Sequence, residues 1–262
     1  MQPDLESLLD CAITAAKRAG HHALENASRR SEVIARAEHD VKLALDVECQ
    51  EIAEREIQSR YADHQFLGEE SPANAVLNAG SPYLWIVDPI DGTVNFSHAY
   101  PYWCCSVAVQ HAGQVVAGCV YNPLCDEVYC ATTNSPAQCN GTPIAVSQTA
   151  DLSRALVMTG TDKNENTNHP SGDVFLRIAS AVQRPRVAGS AALDICRVAC
   201  GQADAYFEAG VYLWDVAAAG LILRQAGGRT DVLRELPTPH CISYIATNGH
   251  FHDAFSSLVT GS

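Results

Sequence analysis

Short apolar runs in this chain repeatedly end on a carboxylate, and that habit limits what it can fold into more than any other feature does. Leu84-Trp85-Ile86-Val87 has the make-up of a strand buried on both faces. It runs straight into Asp88 and the turn Pro89-Ile90-Asp91-Gly92-Thr93. Gln65-Phe66-Leu67-Gly68 ends on Glu69 and Glu70, and Ala205-Tyr206-Phe207 on Glu208. Asp215 precedes the nearly uncharged helical segment Val216 to Leu223, which stops at Gly227-Gly228. Singly, such acids are ordinarily helix caps or partners of a helix dipole. Together they imply a sheet-based fold in which side chains from several elements converge, and converging carboxylates repel unless protons or cations neutralise them.

The remaining segments fit a layered α+β architecture. Leu5, Leu8, Leu9, Ala12, Ile13, Ala16 and Ala19 recur at three-and-four spacing and predict an amphipathic helix over residues 4–28. Val41 to Leu45 alternates as a short strand, with Asp46 as N-cap of a helix running through Ile57. Trp103 to Val109, Val115 to Tyr121 and Glu127 to Thr132 resemble the strands of an antiparallel meander. Val174 to Val182 and Ala191 to Cys200 have helical spacing, and the polar stretch Thr161 to Gly172 is expected to be a mobile loop. A soft division near residue 150 separates an N-terminal α+β half, 1–150, from a C-terminal α/β half, 151–262, within one compact unit.

Charge and composition exclude several classes of function. Seventeen Lys+Arg against 30 Asp+Glu give a formal charge of −13 with no basic run, so neither nucleic acid nor an anionic membrane is an expected partner. No apolar run approaches the ~18 residues of a spanning helix, and the acidic start MQPDLESLLD is unlike a secretory signal, so a cytoplasmic location is expected. The eleven cysteines, odd in number and without Cys-x-x-Cys, read as mostly buried free thiols. Adjacent Cys104 and Cys105 should face opposite sides of one strand, and Trp85, Trp103 and Trp214 should anchor the core.

An oxygen-only set of candidate ligands points to a hard cation, Mg²⁺, rather than to zinc. The Asp88 to Thr93 segment suits it. Asp88 and Asp91 can face one point, Pro89 fixes the backbone, the Ile90 carbonyl is available to a metal, and Gly92 permits close approach. A helix starting here would offer free N–H groups to a phosphate, and the Thr93 hydroxyl could orient a water.

Gly68-Glu69-Glu70-Ser71, Asp88-Pro89-Ile90-Asp91-Gly92-Thr93 and Trp214-Asp215-Val216-Ala217-Ala218 resemble, in order and spacing, the three signatures of the inositol monophosphatase family. The resemblance extends over nearly the whole chain, including Asp46, Cys139-Asn140-Gly141 and Gly189-Ser190-Ala191-Ala192-Leu193. It implies the αβαβα sandwich shared with fructose-1,6-bisphosphatase. It also implies two or three Mg²⁺ per site: Glu69, Asp88 and the Ile90 carbonyl for the first, Asp88, Asp91 and Asp215 for the second, and a further ion near Glu69 and Glu70. Glu70 is otherwise a supporting residue beside the ligands. The implied reaction is direct attack of a metal-activated water on a phosphomonoester, with Thr93 and Glu69 positioning or deprotonating the water and Asp46 hydrogen-bonded to Thr93. Asp91, Gly92 and Thr93 would contact the phosphate, and Gly189, Ser190, Ala191 and Glu208 the alcohol.

Val94-Asn95-Phe96 followed by Pro101 resembles the inositol monophosphatase branch, for which inositol monophosphate or a similar polyol phosphate is the expected substrate. Fructose 1,6-bisphosphate, 3′-phosphoadenosine 5′-phosphate and histidinol phosphate are the alternatives within the superfamily. A regulatory binding protein with a vestigial metal site is the alternative outside it, opposed by the intact acids. A homodimer and sensitivity to lithium are further implications of the resemblance.

Overall fold

The computed structural model describes residues 4–36, 41–71, 80–160 and 171–261. The stretch 161–170, expected to be a loop, lies outside the described residues. The helices are α1 (Leu5–Glu25), α2 (Ala44–Arg60), α3 (Thr93–Ser97), α4 (Ser171–Ala181), α5 (Ala191–Ala199), α6 (Leu213–Gln225) and α7 (His252–Thr260). The strands are β1 (Val33–Arg36), β2 (Val41–Leu43), β3 (Gln65–Gly68), β4 (Tyr83–Asp91), β5 (Cys104–His111), β6 (Gln114–Asn122) and β7 (Glu127–Thr132). They continue as β8 (Gln138–Cys139), β9 (Thr142–Pro143), β10 (Leu156–Thr159), β11 (Arg184–Arg186), β12 (Ala205–Tyr212), β13 (Arg229–Glu235) and β14 (Cys241–Thr247).

Strands β3 to β9 form one sheet in sequence order, parallel only between β3 and β4. A second sheet runs β11-β10-β12-β14-β13, and β1 and β2 make a separate antiparallel pair. Helices α1 and α2 cover one face of the seven-stranded sheet, α5 and α6 fill the space between the two sheets, and α4 and α7 lie outside the second sheet. The result is the expected αβαβα sandwich.

Strand alternation assigns side chains to these layers. Trp85 and Val87 enter the core under α1 and α2, whereas Ile86 enters the core under α6. Cys105 follows the first pattern and Cys104 the second, as alternation requires. All eleven cysteines, each among the described residues, are free thiols, eight of them buried. Trp85 and Trp103 are buried anchors, but Trp214 is only half-buried and stacks on Tyr212, ring centroids 4.9 Å apart and 3° from parallel. No helix among the described residues is long and apolar enough to cross a membrane.

Asp46 is not the N-cap expected of it. Helix α2 begins at Ala44, so Asp46 lies inside its first turn and its Oδ2 accepts the Leu43 N–H at 2.7 Å. Asp215 does the same in α6, accepting the Tyr212 N–H at 2.9 Å. In both cases an acid in the first turn reaches back to a backbone donor that the helix itself leaves unsatisfied.

Helix α6 can lie close to the seven-stranded sheet because β6 presents Gly118 to it. A Cβ at that position would fall 2.9 Å from Ala218 Cα, which is backbone and cannot yield cheaply. Gly118→Val should therefore overpack the central layer and cost about 3 kcal/mol. Urea unfolding with an unchanged midpoint would contradict this packing.

Candidate active site

Asp88 and Asp91 share a face only because β4 is irregular between them. Asp88 pairs with Ser106 and Asp91 with Cys104, so Pro89 and Ile90 together oppose the single residue Cys105. Residues three apart in a regular strand point to opposite faces; the extra residue of a bulge restores both carboxylates to one side. Proline is compatible here because a bulge leaves one residue out of the ladder. Asp88 Oδ1 accepts the Ile90 N–H at 3.0 Å, and the Thr93 hydroxyl donates to the Ile90 carbonyl, also at 3.0 Å.

Gly92 has φ +96°, and a Cβ there would meet the Gly189 and Tyr102 carbonyls at 3.0 and 3.1 Å. The loop before α5 is drawn in by Asn95, whose Nδ2 donates to the carbonyls of Tyr102 and Ala188, both at 2.8 Å. Asp91 completes the junction. Its Oδ2 accepts the Ser190 hydroxyl at 2.6 Å and the Ala192 N–H at 2.7 Å, while Oδ1 accepts the Ala191 N–H at 3.2 Å. Asp91 thus caps α5 from another layer of the fold, where helix N–H groups lack internal partners. Helix α3, by contrast, is a single turn, so a phosphate there would meet individual N–H groups rather than an appreciable helix dipole.

These elements surround a cavity of about 440 Å³. Glu69, Asp88, Ile90, Asp91, Gly92 and Thr93 line it from the first sheet, Gly189, Ser190 and Ala191 from the start of α5, Glu208 from β12 and Asp215 from α6. Asp46 and Glu70 are not among its lining residues. Asp46 is buried, and its charge acts on Glu69. Glu70 pairs with Lys42 on β2, and its N–H donates to Gln50 Oε1 at 2.8 Å. Glu208 lies within β12, which runs on past it to Tyr212, and its Oε2 accepts the Tyr206 hydroxyl at 2.5 Å.

Several lining residues went unread in the sequence, among them Thr159, Gly160, Val187, Asp194 and the β12 residues Gly210 to Tyr212. Thr159 and Gly160 lie at the end of β10, a strand with no turn signal or alternation to announce it. Asp194 sits in the first turn of α5, where nothing singled it out; its position three residues after Ala191, on the same helix face, was the available signal.

Burial pushes Glu69, Asp88 and Asp215 well above the usual carboxylate range, and their repulsion of one another and of Asp91 adds to it. Burial raises Asp91 as well, partly offset by its donors. Asp88 lies within hydrogen-bonding reach of both Glu69 and Asp215, a spacing that carboxylates tolerate only by sharing protons or a cation. Among the described residues no group of three His, Cys, Asp or Glu side chains is placed to hold a metal ion by itself. An all-oxygen cluster of this kind fits Mg²⁺, which keeps several waters and takes one or two carboxylates together with substrate phosphate.

The family model for the inositol monophosphatase family matches residues 4–259. An inositol monophosphatase of Dictyostelium discoideum is 34% identical over 228 residues, 86% of this chain and 84% of that one. The Nus factor SuhB of Vibrio cholerae is 34% identical over 230 residues, 85% of this chain and 84% of its own. The structure of an inositol monophosphatase from Anabaena (Nostoc) sp. superposes with a TM-score of 0.85 at 32% identity, covering 99% of this chain and 97% of that chain. With these matches spanning both sheets and every element that carries a cavity carboxylate, the chain belongs to the inositol monophosphatase family of phosphatases.

Proposed function

We propose that the protein is a Mg²⁺-dependent phosphomonoesterase acting on inositol monophosphate or a similar polyol phosphate. The observation that carries this reading is the convergence of Glu69, Asp88, Asp91 and Asp215 in one cavity with Glu208. Glu69, Asp88 and the Ile90 carbonyl would hold one ion and Asp88, Asp91 and Asp215 a second; for the further ion expected near Glu69 and Glu70 only Glu69 lines the cavity, Glu70 being paired with Lys42. When bound, Mg²⁺ supplies positive charge to the phosphate and leaving oxygens and makes a water a stronger nucleophile at neutral pH.

The chain's own groups supply the rest. Glu69, crowded by neighbouring acids, takes a proton from the attacking water. The Thr93 hydroxyl orients that water, and the Gly92 and Thr93 N–H groups approach the phosphate without side-chain obstruction. Asp46 supports this corner. Ser190 and the Gly189 and Ala191 backbone meet the alcohol beside Glu208, whose carboxylate accepts hydroxyl hydrogens. A homodimer and lithium sensitivity belong to the same reading.

Phosphate release from inositol 1-phosphate, fructose 1,6-bisphosphate, 3′-phosphoadenosine 5′-phosphate and histidinol phosphate, with and without Mg²⁺, tests the substrate. Preference for inositol 1-phosphate is expected; preference for another ester would retain the mechanism and overturn the specificity. Glu208→Ala should damage inositol 1-phosphate hydrolysis at least about tenfold more than aryl phosphate hydrolysis.

Asp91→Asn should lower kcat by about 100-fold or more, since it removes a ligand charge. It should also cost about 1–3 kcal/mol of stability, because an amide NH₂ would face donors on whichever side it is placed. Activity near that of the original protein would remove Asp91 from the metal set.

Because the cluster's carboxyls are raised, cation binding must displace protons, so apparent Mg²⁺ affinity should climb with pH. A carboxyl raised on folding weakens the metal-free fold progressively as pH increases above its unfolded value. Mg²⁺ relieves that penalty, and its gain in thermal midpoint should be larger at about pH 8 than at about pH 6. An equal gain at both would argue against a proton-loaded cluster.

A further inference from the structure

Asp194 is 2% exposed, yet it lines the cavity. Its Oδ1 accepts the Tyr102 hydroxyl at 2.8 Å, and its other oxygen takes no hydrogen bond from the described residues. A buried carboxyl with half its capacity unfilled is costly, and the apolar neighbours Leu193 and Ile195 show that the layer around it accepts hydrocarbon. Capping does not account for it, because the Ala191 and Ala192 N–H groups at the start of α5 go to Asp91 and Asp194 lies one turn further in.

The side chain is also held in place. Arg197, one turn further along α5, is near enough for its charge to act on Tyr102, and it bonds Glu127 Oε2 at 3.0 Å and the Tyr129 hydroxyl at 2.6 Å. The cavity carboxylates whose charge acts on Asp194 are Asp91 and Glu208, the groups assigned above to the phosphate end and the alcohol end of a substrate. Asp194 lines the same cavity as both.

We propose that Asp194 is a specificity-determining residue, its second carboxyl oxygen hydrogen-bonding a hydroxyl of the substrate alcohol while Tyr102 fixes the first. The proposal rests on the phosphatase reading above and narrows it. A hydroxyl both donates and accepts, so the bond forms whichever form the carboxyl takes. The substrate class is a monophosphate ester whose alcohol carries at least two hydroxyls, one for Glu208 and one for Asp194. A second phosphate at that wall would meet two acids and be disfavoured.

The experiment compares kcat/KM for inositol 1-phosphate and p-nitrophenyl phosphate, each with Mg²⁺, in the original protein, Asp194→Leu and Asp194→Asn. The aryl ester has no hydroxyl beside its phosphate and reports damage to the fold or the carboxylate cluster. Asp194→Leu should reduce the polyol-to-aryl ratio at least tenfold. Asp194→Asn keeps an acceptor for Tyr102 and a polar group in the cavity, and should restore the ratio to within threefold of the original. A Leu ratio within threefold of the original overturns the proposal, whether both rates fall together or neither does, and so does an Asn variant as poor as the Leu one. If the unmodified protein hydrolyses the aryl ester in any of these cases, only the Asp194 assignment is lost. If it hydrolyses neither ester, the phosphatase reading falls with it.

Discussion

The Asp91 carboxylate joins the architecture to the chemistry. It ends a strand of the first sheet, accepts the Ser190 hydroxyl and two N–H groups at the start of α5, and contributes charge to the cavity. One set of hydrogen bonds therefore seats the central helical layer and fixes the direction in which the carboxylate faces. Charge-assisted bonds from backbone donors are among the stronger ones a protein can make, and buried ones resist displacement. The position of α5, and with it Ser190, Ala191 and Asp194, depends on this contact.

The bulge in β4 meets a conflict between packing and function. A strand buried on both faces has no place for two acids three residues apart, and local irregularity is the least disruptive way to present both to one cavity. Repulsion within the cluster is then held in the folded state by cores above and below it, the first under α1 and α2 and the other around α6. Stability drawn from those layers offsets a site that would otherwise relax by moving its charges apart.

Much of this was legible because acids at strand ends are punctuation that local sequence preserves. Glu69, Asp88 and Glu208 were visible as apolar runs stopping on a carboxylate, Asp91 in the turn that follows and Asp215 at the start of an apolar helix, and all five line the cavity. Long-range relations were not visible in the same way. Nothing near Ser190 announces that it bonds Asp91, about a hundred residues away. The second sheet was largely unread: β14, Cys241–Thr247, is buried along its whole length and includes Ser243 and Thr247, so it lacks both alternation and an unbroken apolar run. Its neighbour β13, Arg229–Glu235, lies at the sheet edge and carries the charges that protect such edges, which disguises it as a loop. Asp46 was placed at the right junction but in the wrong role, because an acid reaching back from a first turn and an acid capping it look alike within two residues.

Gly118 and Ala218 set the gap between the first sheet and α6. Asp88 rides on that sheet and Asp215 on that helix, so their separation is a dimension of the scaffold rather than of the cavity. Side-chain volume at a contact with no chemistry of its own thus acts as a gauge block for the charged groups. Tolerances in a close-packed layer are fractions of an ångström. Whatever is held between those two carboxylates inherits that precision, and drift in residues remote from any ligand would be felt first as a change in which ion fits.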